Sequence, residues 1–560
     1  MSRIGWYWLV SGAIAAIFAP WSSVRAASDV DGDAIAQIPG QRSINSVDDL
    51  SDVPPGHWAR SALDDLIRDY GCIAGYPDGT YRGNRTLTRY EFAAALDACV
   101  DAILGGVDSP ELPLGRIEQI ERLQEEFAAE LATLRGRVDS LEERVQFLED
   151  HQFSTTTQLR GEVSFALSSL FGEERADGED LEEVPVFNNR VRLFFNTSFT
   201  GDDLLITRLD ALNVIPFGPG EGDDPDITGT SMTRTAFDEG SDNSVRLGKL
   251  FYTFAFGESG HSHHGHSHDD GHGHGHHGHG AEGDLSFMID AVGGEFNENF
   301  ANFNEFFSEE LTGSISRFGR FNPIYYQGLE GTGASVSYRL GDFATLSAGY
   351  LAPDANDPQE KNGLFNGSYA AMGQLALTPS DDLRFGLTYV RSYFPGDRVV
   401  VSGETGSELA NVPFGEDTAT SADNFGFQTS LRIADGLNIS GWAGLTRAHA
   451  ETDGFNDEAG VFIDEGDNAT IFNWAVTLAF PDLGSEGSLG GIVIGQPPKV
   501  TDNDSGPEDE DTSWHLEAQY RYQLNDNIAI NPGFFVILNP EHNDDRDAIW
   551  VGTIRTIFEF

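Results

Sequence analysis

From residue 154 onward, apolar and polar residues alternate with a period of two. In 188–199, Arg190, Arg192 and Asn196 fall on one face, and Val191, Leu193, Phe195 and Thr197 fall on the other. Leu383, Phe385, Leu387 and Tyr389 likewise oppose Arg384 and Thr388, and Trp514, Leu516, Ala518, Tyr520 and Tyr522 oppose His515, Glu517, Gln519 and Arg521. That period belongs to β-strands whose two faces meet different surroundings. Sixteen strands are predicted, starting near residues 156, 187, 203, 245, 284, 331, 344, 368, 382, 423, 436, 469, 487, 513, 527 and 548. One-sided strands suit either a soluble sandwich or a membrane barrel.

Upstream the period changes. Ile117, Ile120, Gln124, Phe127, Leu131, Leu134, Val138, Leu141, Val145 and Leu148 repeat at alternating spacings of 3 and 4. Sustained heptads of this kind predict a coiled coil over 114–150, hence an oligomer, with the polar Gln124 setting register in the seam. The segment 46–107 reads as short helices, with Leu63, Leu66 and Ile67 in one run and Phe92, Leu96 and Val100 in another, around the turn cluster 75–79. Residues 1–26 carry an early cation, an apolar core and a small-residue end, the order of a secretory signal peptide, and 27–45 form a polar linker.

Of the chain's 560 residues, 34 are Lys or Arg and 90 are Asp or Glu, a net −56 that excludes a cation-driven grip on nucleic acid. A 39% hydrophobic content with 39 Phe excludes disorder over most of the length. No triad, phosphate loop or catalytic acid pair emerges, so an enzyme is not expected. The two cysteines, Cys72 and Cys99, are too few for a disulfide scaffold. One bridge between them and a buried free pair both stay open.

Counting back from Phe560, the connections near 201–202, 341–343, 379–382, 434–436, 481–488 and 524–527 are short and fall on one side of the sheet. Those near 171–186, 214–244, 294–330, 353–367, 395–422, 448–468, 497–512 and 541–547 are mostly long and fall on the other. Transmembrane barrels have that asymmetry, with short turns in the periplasm and long loops outside. The exception is 258–283, which parity places in the periplasm. It holds His261, His263, His264, His266, His268, His272, His274, His276, His277 and His279 interleaved with Gly, and neutral imidazoles in so pliant a tract suit Zn, Ni, Cu or Fe. No cofactor is required by this reading, and a low-complexity insertion without a ligand is the plainer alternative.

Strand parity turns Arg190, Arg192, Arg208, Asp210, Glu517 and Arg521 toward the lumen. The long connection 294–330 carries Phe296, Phe300, Phe303, Phe306 and Phe307, then Arg317 and Arg320. Folded inward it would narrow a water-filled barrel and set its two arginines facing the lumen, or its aromatics simply fasten the loop to the wall. Acidic runs at 173–183 and 502–511 would raise the cation concentration at the mouth if ringed around it, or are simply solvated surface.

Several stretches resemble known families. Leu50-Ser51-Asp52-Val53, His57-Trp58-Ala59, 75–81 and Leu87-Thr88-Arg89-Tyr90-Glu91-Phe92-Ala93 are similar, in order and spacing, to one S-layer homology repeat. That resemblance implies binding to a peptidoglycan-linked polymer through Trp58, Arg89 and Glu91, with Asp78 supporting the loop. A packed Trp58 and a surface-paired Arg89 are the alternatives. The final strand, with Trp550, Ile554, Thr556, Phe558 and Phe560 on one face, looks like the C-terminal signal read by the barrel assembly machinery. The whole order resembles the cyanobacterial OprB-like carbohydrate-selective porins, including those described as iron-uptake porins. It implies a mainly β fold, a ~16-stranded antiparallel transmembrane barrel over 154–560 behind an S-layer homology domain and a coiled coil. The expected function is passive diffusion of small hydrophilic solutes and inorganic ions by a homotrimer seated in outer-membrane lipid. A plugged structural tether and a periplasmic metal buffer are the competing readings.

Overall fold

The computed structural model describes residues 156–219, 225–238, 240–257, 284–396, 398–456 and 460–560. The segment expected to be a signal peptide, Trp58, Asp78, Arg89, Glu91, Cys72, Cys99, the heptads and the histidine tract lie outside these residues.

Sixteen antiparallel strands close into one barrel, each paired with its sequence neighbour, the last with the first. They are β1 Thr157–Phe171, β2 Val186–Thr197, β3 Asp203–Leu212, β4 Arg246–Phe256, β5 Leu285–Gly294, β6 Gly331–Leu340, β7 Ala344–Ala352, β8 Tyr369–Ser380, β9 Leu383–Phe394, β10 Thr420–Ala434, β11 Leu437–Ala450, β14 Asn468–Pro481, β15 Leu489–Asn503, β16 Trp514–Asn525, β17 Ile528–Leu538 and β18 Ile549–Glu559. A small hairpin, β12 Gly454–Asn456 with β13 Val461–Ile463, sits between β11 and β14. The seam pairs Val163 with Phe558 and Leu167 with Ile554, and Phe560 exchanges both backbone hydrogen bonds with Gly161. Closure leaves no unpaired sheet edge in the bilayer, where an unmet backbone group costs several kcal/mol.

The polarity of the two faces decides between sandwich and barrel. Leu167, Ile289, Leu346, Leu387, Phe427 and Ile554 stand exposed on the outside, whereas Ser164, Arg190, Asp210, Gln374, Thr388, Asn424, Asn473 and Glu517 are buried inside. A soluble protein would have the reverse; apolar outside and polar inside is the pattern of a barrel solvated by lipid. Aromatic rings gather near both ends of the wall. Tyr350, Tyr369 and Tyr393 stack at the end with long loops, and Phe254, Phe256 and Phe287 pack at the other.

At the short-turn end, Asp203 closes the β2–β3 connection: its Oδ1 accepts from the N–H of Phe199 at 2.9 Å and of Thr200 at 2.7 Å. Gly201, at φ 95°, supplies the left-handed residue that turn requires. The eight long loops, L1 172–185, L2 213–245, L3 295–330, L4 353–368, L5 395–419, L6 451–467, L7 504–513 and L8 539–548, all leave the opposite end. L3 folds back into the barrel, and parts of L2 and L5 pack on it.

The charged lumen and its inward loop as candidate functional site

L3 is held by apolar knobs set into gaps in the wall. Phe296, Phe300, Phe321, Ile324 and Tyr325 pack with Leu351, Met372 and Val390 of β7–β9, while Phe307 and Phe318 pack with Trp442, Ala475 and Val493 of β11–β15. Gly386 faces the ring of Phe303, and a Cβ on Gly491 would lie 2.7 Å from the ring of Phe307. Only glycine leaves room there for the loop's aromatics. The sequence reading left open whether these Phe residues narrow the lumen or fasten the loop; the structure uses them as fasteners.

The loop's polar backbone is met as fully. Asn304 donates to the carbonyl oxygens of Gly319 and Arg320 at 3.1 and 2.7 Å, and accepts from Thr477 of β14 at 2.7 Å. Tyr326 donates to Arg317 O at 2.8 Å, and Gln374 of β8 donates to Ala301 O at 2.9 Å. L2 joins by pairing Thr235 with Ser316, and its Arg234, bound to Asp238 at 2.7 Å, also pairs with Glu404 of L5. Loops rarely sit in a protein interior because their backbone groups go unmet; here each strap carries its own partners.

The charged residues of L3 meet a cationic wall. Glu310 Oε2 lies 2.6 Å from Arg190 Nη1 and 2.6 Å from Arg192 Nη2, both on β2. Arg320 approaches the other oxygen of Glu310 at 3.6 Å and donates to Ser308 O at 2.9 Å. Asp210 of β3 binds Arg208 at 2.8 Å and Arg192 at 3.4 Å. Lys249 of β4 pairs with Glu295 at 3.1 Å and with Glu298. On the far side, Glu305 pairs with Arg384 of β9. Arg190 also lies over the ring of Phe237 from L2, 4.2 Å from its centroid.

The residues singled out by strand parity are placed as follows. Arg190, Arg192, Arg208 and Asp210 form one network on β2 and β3. Arg317 donates to Gly403 O at 3.1 Å and stacks on Tyr326 at 4.1 Å, so it ties L3 to L5. Glu517 and Arg521 face inward and are engaged by L3. Parity alone passed over Glu295, Glu298, Glu305, Glu310 and Lys249. Lys249 turns inward because a bulge shifts the β3–β4 register between Arg208 and Leu209. The glutamates belong to a loop, where no period marks a face; their signal was five glutamates, at 295, 298, 305, 309 and 310, within an otherwise aromatic stretch.

Along β1, β2, β16 and β18, Ser164 Oγ, Asn188 Oδ1, Arg190 Nη2, Asn196 Oδ1, Arg521 Nε and Arg555 Nε are buried and find no hydrogen-bond partner among the described residues. Polar atoms so placed are usually met by water, and fewer of them lie on the β10–β14 side, where Gln428 Nε2, Trp442 Nε1 and Asn473 Oδ1 do. Among the described residues no group of three or more His, Cys, Asp or Glu is arranged to hold a metal ion.

Comparison with known proteins agrees with this architecture. The profile of the carbohydrate-selective porin family, OprB, matches residues 117–560, and that of the S-layer homology domain matches 49–93. The chain belongs to the OprB porin family. An uncharacterized protein of Synechocystis sp. is 38% identical over 537 residues, covering 93% of this chain and 92% of that one. The outer membrane protein SlpA of Deinococcus radiodurans is 40% identical over 111 residues, 20% of this chain and 9% of that one. The OprB structure from Pseudomonas putida at high pH superposes with a TM-score of 0.47 at 11% identity, covering 74% of this chain and 96% of that one. This OprB-family protein is therefore an outer-membrane porin, a channel and not an enzyme, with an S-layer homology domain ahead of its barrel.

Proposed function

We propose that the barrel passes small hydrophilic solutes and inorganic ions by diffusion, through a polar and charged lumen narrowed by L3. One observation carries this reading: the inward face of the barrel is polar and charged, and L3, folded inside it, adds Glu298 and Glu310, each paired directly with cations of the wall. A wall carrying fixed charges of both signs orients a dipolar solute and tolerates both ions, while fixed polar groups replace part of a solute's hydration. Sugars and metal ions, iron included, are candidate cargoes, and the histidine tract on the periplasmic side would hold transition-metal ions loosely near the exit.

The same reading has the S-layer homology segment bind a peptidoglycan-linked polymer through Trp58, Arg89 and Glu91, and has the 114–150 heptads join three chains. The family profile and the unbroken heptad spacing support it. Two measurements test it. Purified protein in a planar bilayer should give stepwise conductance, and isolated wall sacculi should retain the wild type but release Trp58→Ala and Arg89→Ala. Absence of steps rules out the pore; equal retention of all three rules out the tether.

A further inference from the structure

The alternation of β16 turns Glu517 inward, yet its carboxylate does not end in open lumen; Glu517 is 2% exposed. Its Oε1 accepts from Ser314 Oγ at 2.9 Å and from the Ile315 N–H at 2.7 Å. Its Oε2 accepts from the Ser316 N–H at 3.2 Å and from Ser316 Oγ at 2.5 Å. An ionised carboxylate only accepts, and here one side chain meets two amides and two hydroxyls of three successive loop residues. His515, on the same face of β16, reaches Ser316 Oγ at 3.1 Å and is packed between Phe318 and Phe535, 5.2 Å from each ring.

The carbonyls of the same stretch are met from the neighbouring wall. Arg521 donates to Thr312 O at 3.1 Å, and Arg555 of β18 donates to Gly313 O at 3.0 Å and to Glu310 O at 3.1 Å. Residues 310–316 form no regular element; within L3 their backbone has the bonds from Gly313 N–H to Glu309 O at 3.0 Å and from Ser314 N–H to Phe307 O at 2.9 Å, and the remaining groups look to the wall. One glutamate gathers the donors and two arginines gather the acceptors, and this bracket ends on the backbone of Glu310, whose side chain pairs with Arg190 and Arg192.

We propose that Glu517 is the positioning residue of the constriction: it sets, from the barrel wall, how far Glu310 reaches across the lumen. The inference rests on the diffusion-pore reading and assigns Glu517 a role other than contact with solute. Freed of Glu517, 314–316 would lose the shared acceptor of two amides and two hydroxyls and keep the backbone bonds from Ser314 N–H to Phe307 O and from Ala236 N–H to Ile315 O, so the Glu310 carboxylate would no longer hold one place.

The test uses the full-length protein in a planar bilayer and in detergent. Glu517→Gln keeps the shape but offers an NH2 group to donors that need an acceptor. The expected result is a barrel that still migrates as folded on an unheated gel, loses its single steady open level, and flickers among sublevels. Hydrogen exchange of amides 315 and 316 reads the bracket without current and should quicken in the variant. If Glu517→Gln does not fold, the Ser314→Ala/Ser316→Ala pair removes the two hydroxyl donors from the loop side and should give the same flicker in weaker form. A folded variant with the wild type's steady level and wild-type protection at 315 and 316 overturns the proposal. A wild type that never conducts defeats the pore reading instead, and the exchange rates still decide the bracket.

Discussion

Arg190 of β2 and Glu310 of L3 meet at 2.6 Å inside the barrel, and the same carboxylate oxygen lies 2.6 Å from Arg192. One acid thus partners two cations of the wall, and Lys249 of β4 joins the same loop through Glu295 and Glu298.

Replacing it should be read in two ways. Glu310→Gln leaves Arg190 buried without a charged partner, and loss of one member of a buried pair costs about 3 kcal/mol. The barrel should unfold at lower temperature, and the K⁺ to Cl⁻ permeability ratio should fall because the wall's cations are unmasked. An unchanged ratio in a folded variant would show that this pair lies off the permeation path.

The glycine gaps make a separate prediction about loop seating. Gly386→Val puts a branched side chain where the ring of Phe303 sits, whereas Gly373, on β8, has nothing within 4 Å of its Cβ position. Overpacking a fitted contact costs about 1–3 kcal/mol, while an open surface site changes stability by about 0.5 kcal/mol or less. Thermal unfolding followed by gel mobility should separate the two variants, with Gly386→Val also disturbing conductance. Equal melting would mean that L3 is not seated through these gaps.

Much of this was legible in the sequence because a barrel strand is a strictly local pattern. The strands predicted to start at 203, 331 and 344 start there, and the one expected near 423 starts at Thr420. The inward turn of Arg190, Arg192 and Glu517 follows from the same count. Three things were not legible. The β12–β13 hairpin has strands of three residues each, too short to show a period. Lys249 needed a bulge that depends on the neighbouring strand. The partners of Glu310 and Glu517 are set by where a loop of 36 residues (295–330) lands, and that is decided by packing against ten or so strands at once.

The outer loops predict a dependence on pH. Glu541 of L8 accepts from the Glu408 N–H of L5 at 2.7 Å and from Thr230 Oγ1 of L2. Burial pushes its carboxyl up to about 8 from the usual 4.5, outweighing those two bonds, with Asp509 and Glu408 adding repulsion. A carboxyl raised on folding contributes fully below pH 4.5 and loses that contribution as pH rises through about 8. His542 works in the opposite sense: burial lowers it from 6.5 to about 4, opposed by its bond to Pro498 O and aided by Lys499. Its Nδ1 accepts from the Ser513 N–H at 2.8 Å only when neutral, so its share is whole above pH 6.5 and fades toward 4. Exchange protection of 539–543, corrected for intrinsic rates, should therefore decline between pH 6.5 and 8, and Glu541→Gln should abolish that decline. A wild type and variant with parallel profiles would contradict the assignment.

The histidine tract should be separable from the pore. Deleting 261–279 is expected to abolish binding of Zn²⁺ or Ni²⁺ to the purified protein while leaving the open-channel conductance as it was, because no residue of the charged network on β2–β4 and L3 belongs to the tract. Retained metal binding would place the site elsewhere in the chain. A changed conductance without metal would place the tract in the path.

The most direct test of the central claim is single-channel recording of the purified protein in a planar bilayer across a KCl gradient, from low to high salt. The account predicts discrete, long-lived conductance steps, with a preference for K⁺ that weakens as salt screens the acidic loops. A protein that inserts as a folded barrel and passes no current, or whose preference is for Cl⁻ at low salt, would contradict it.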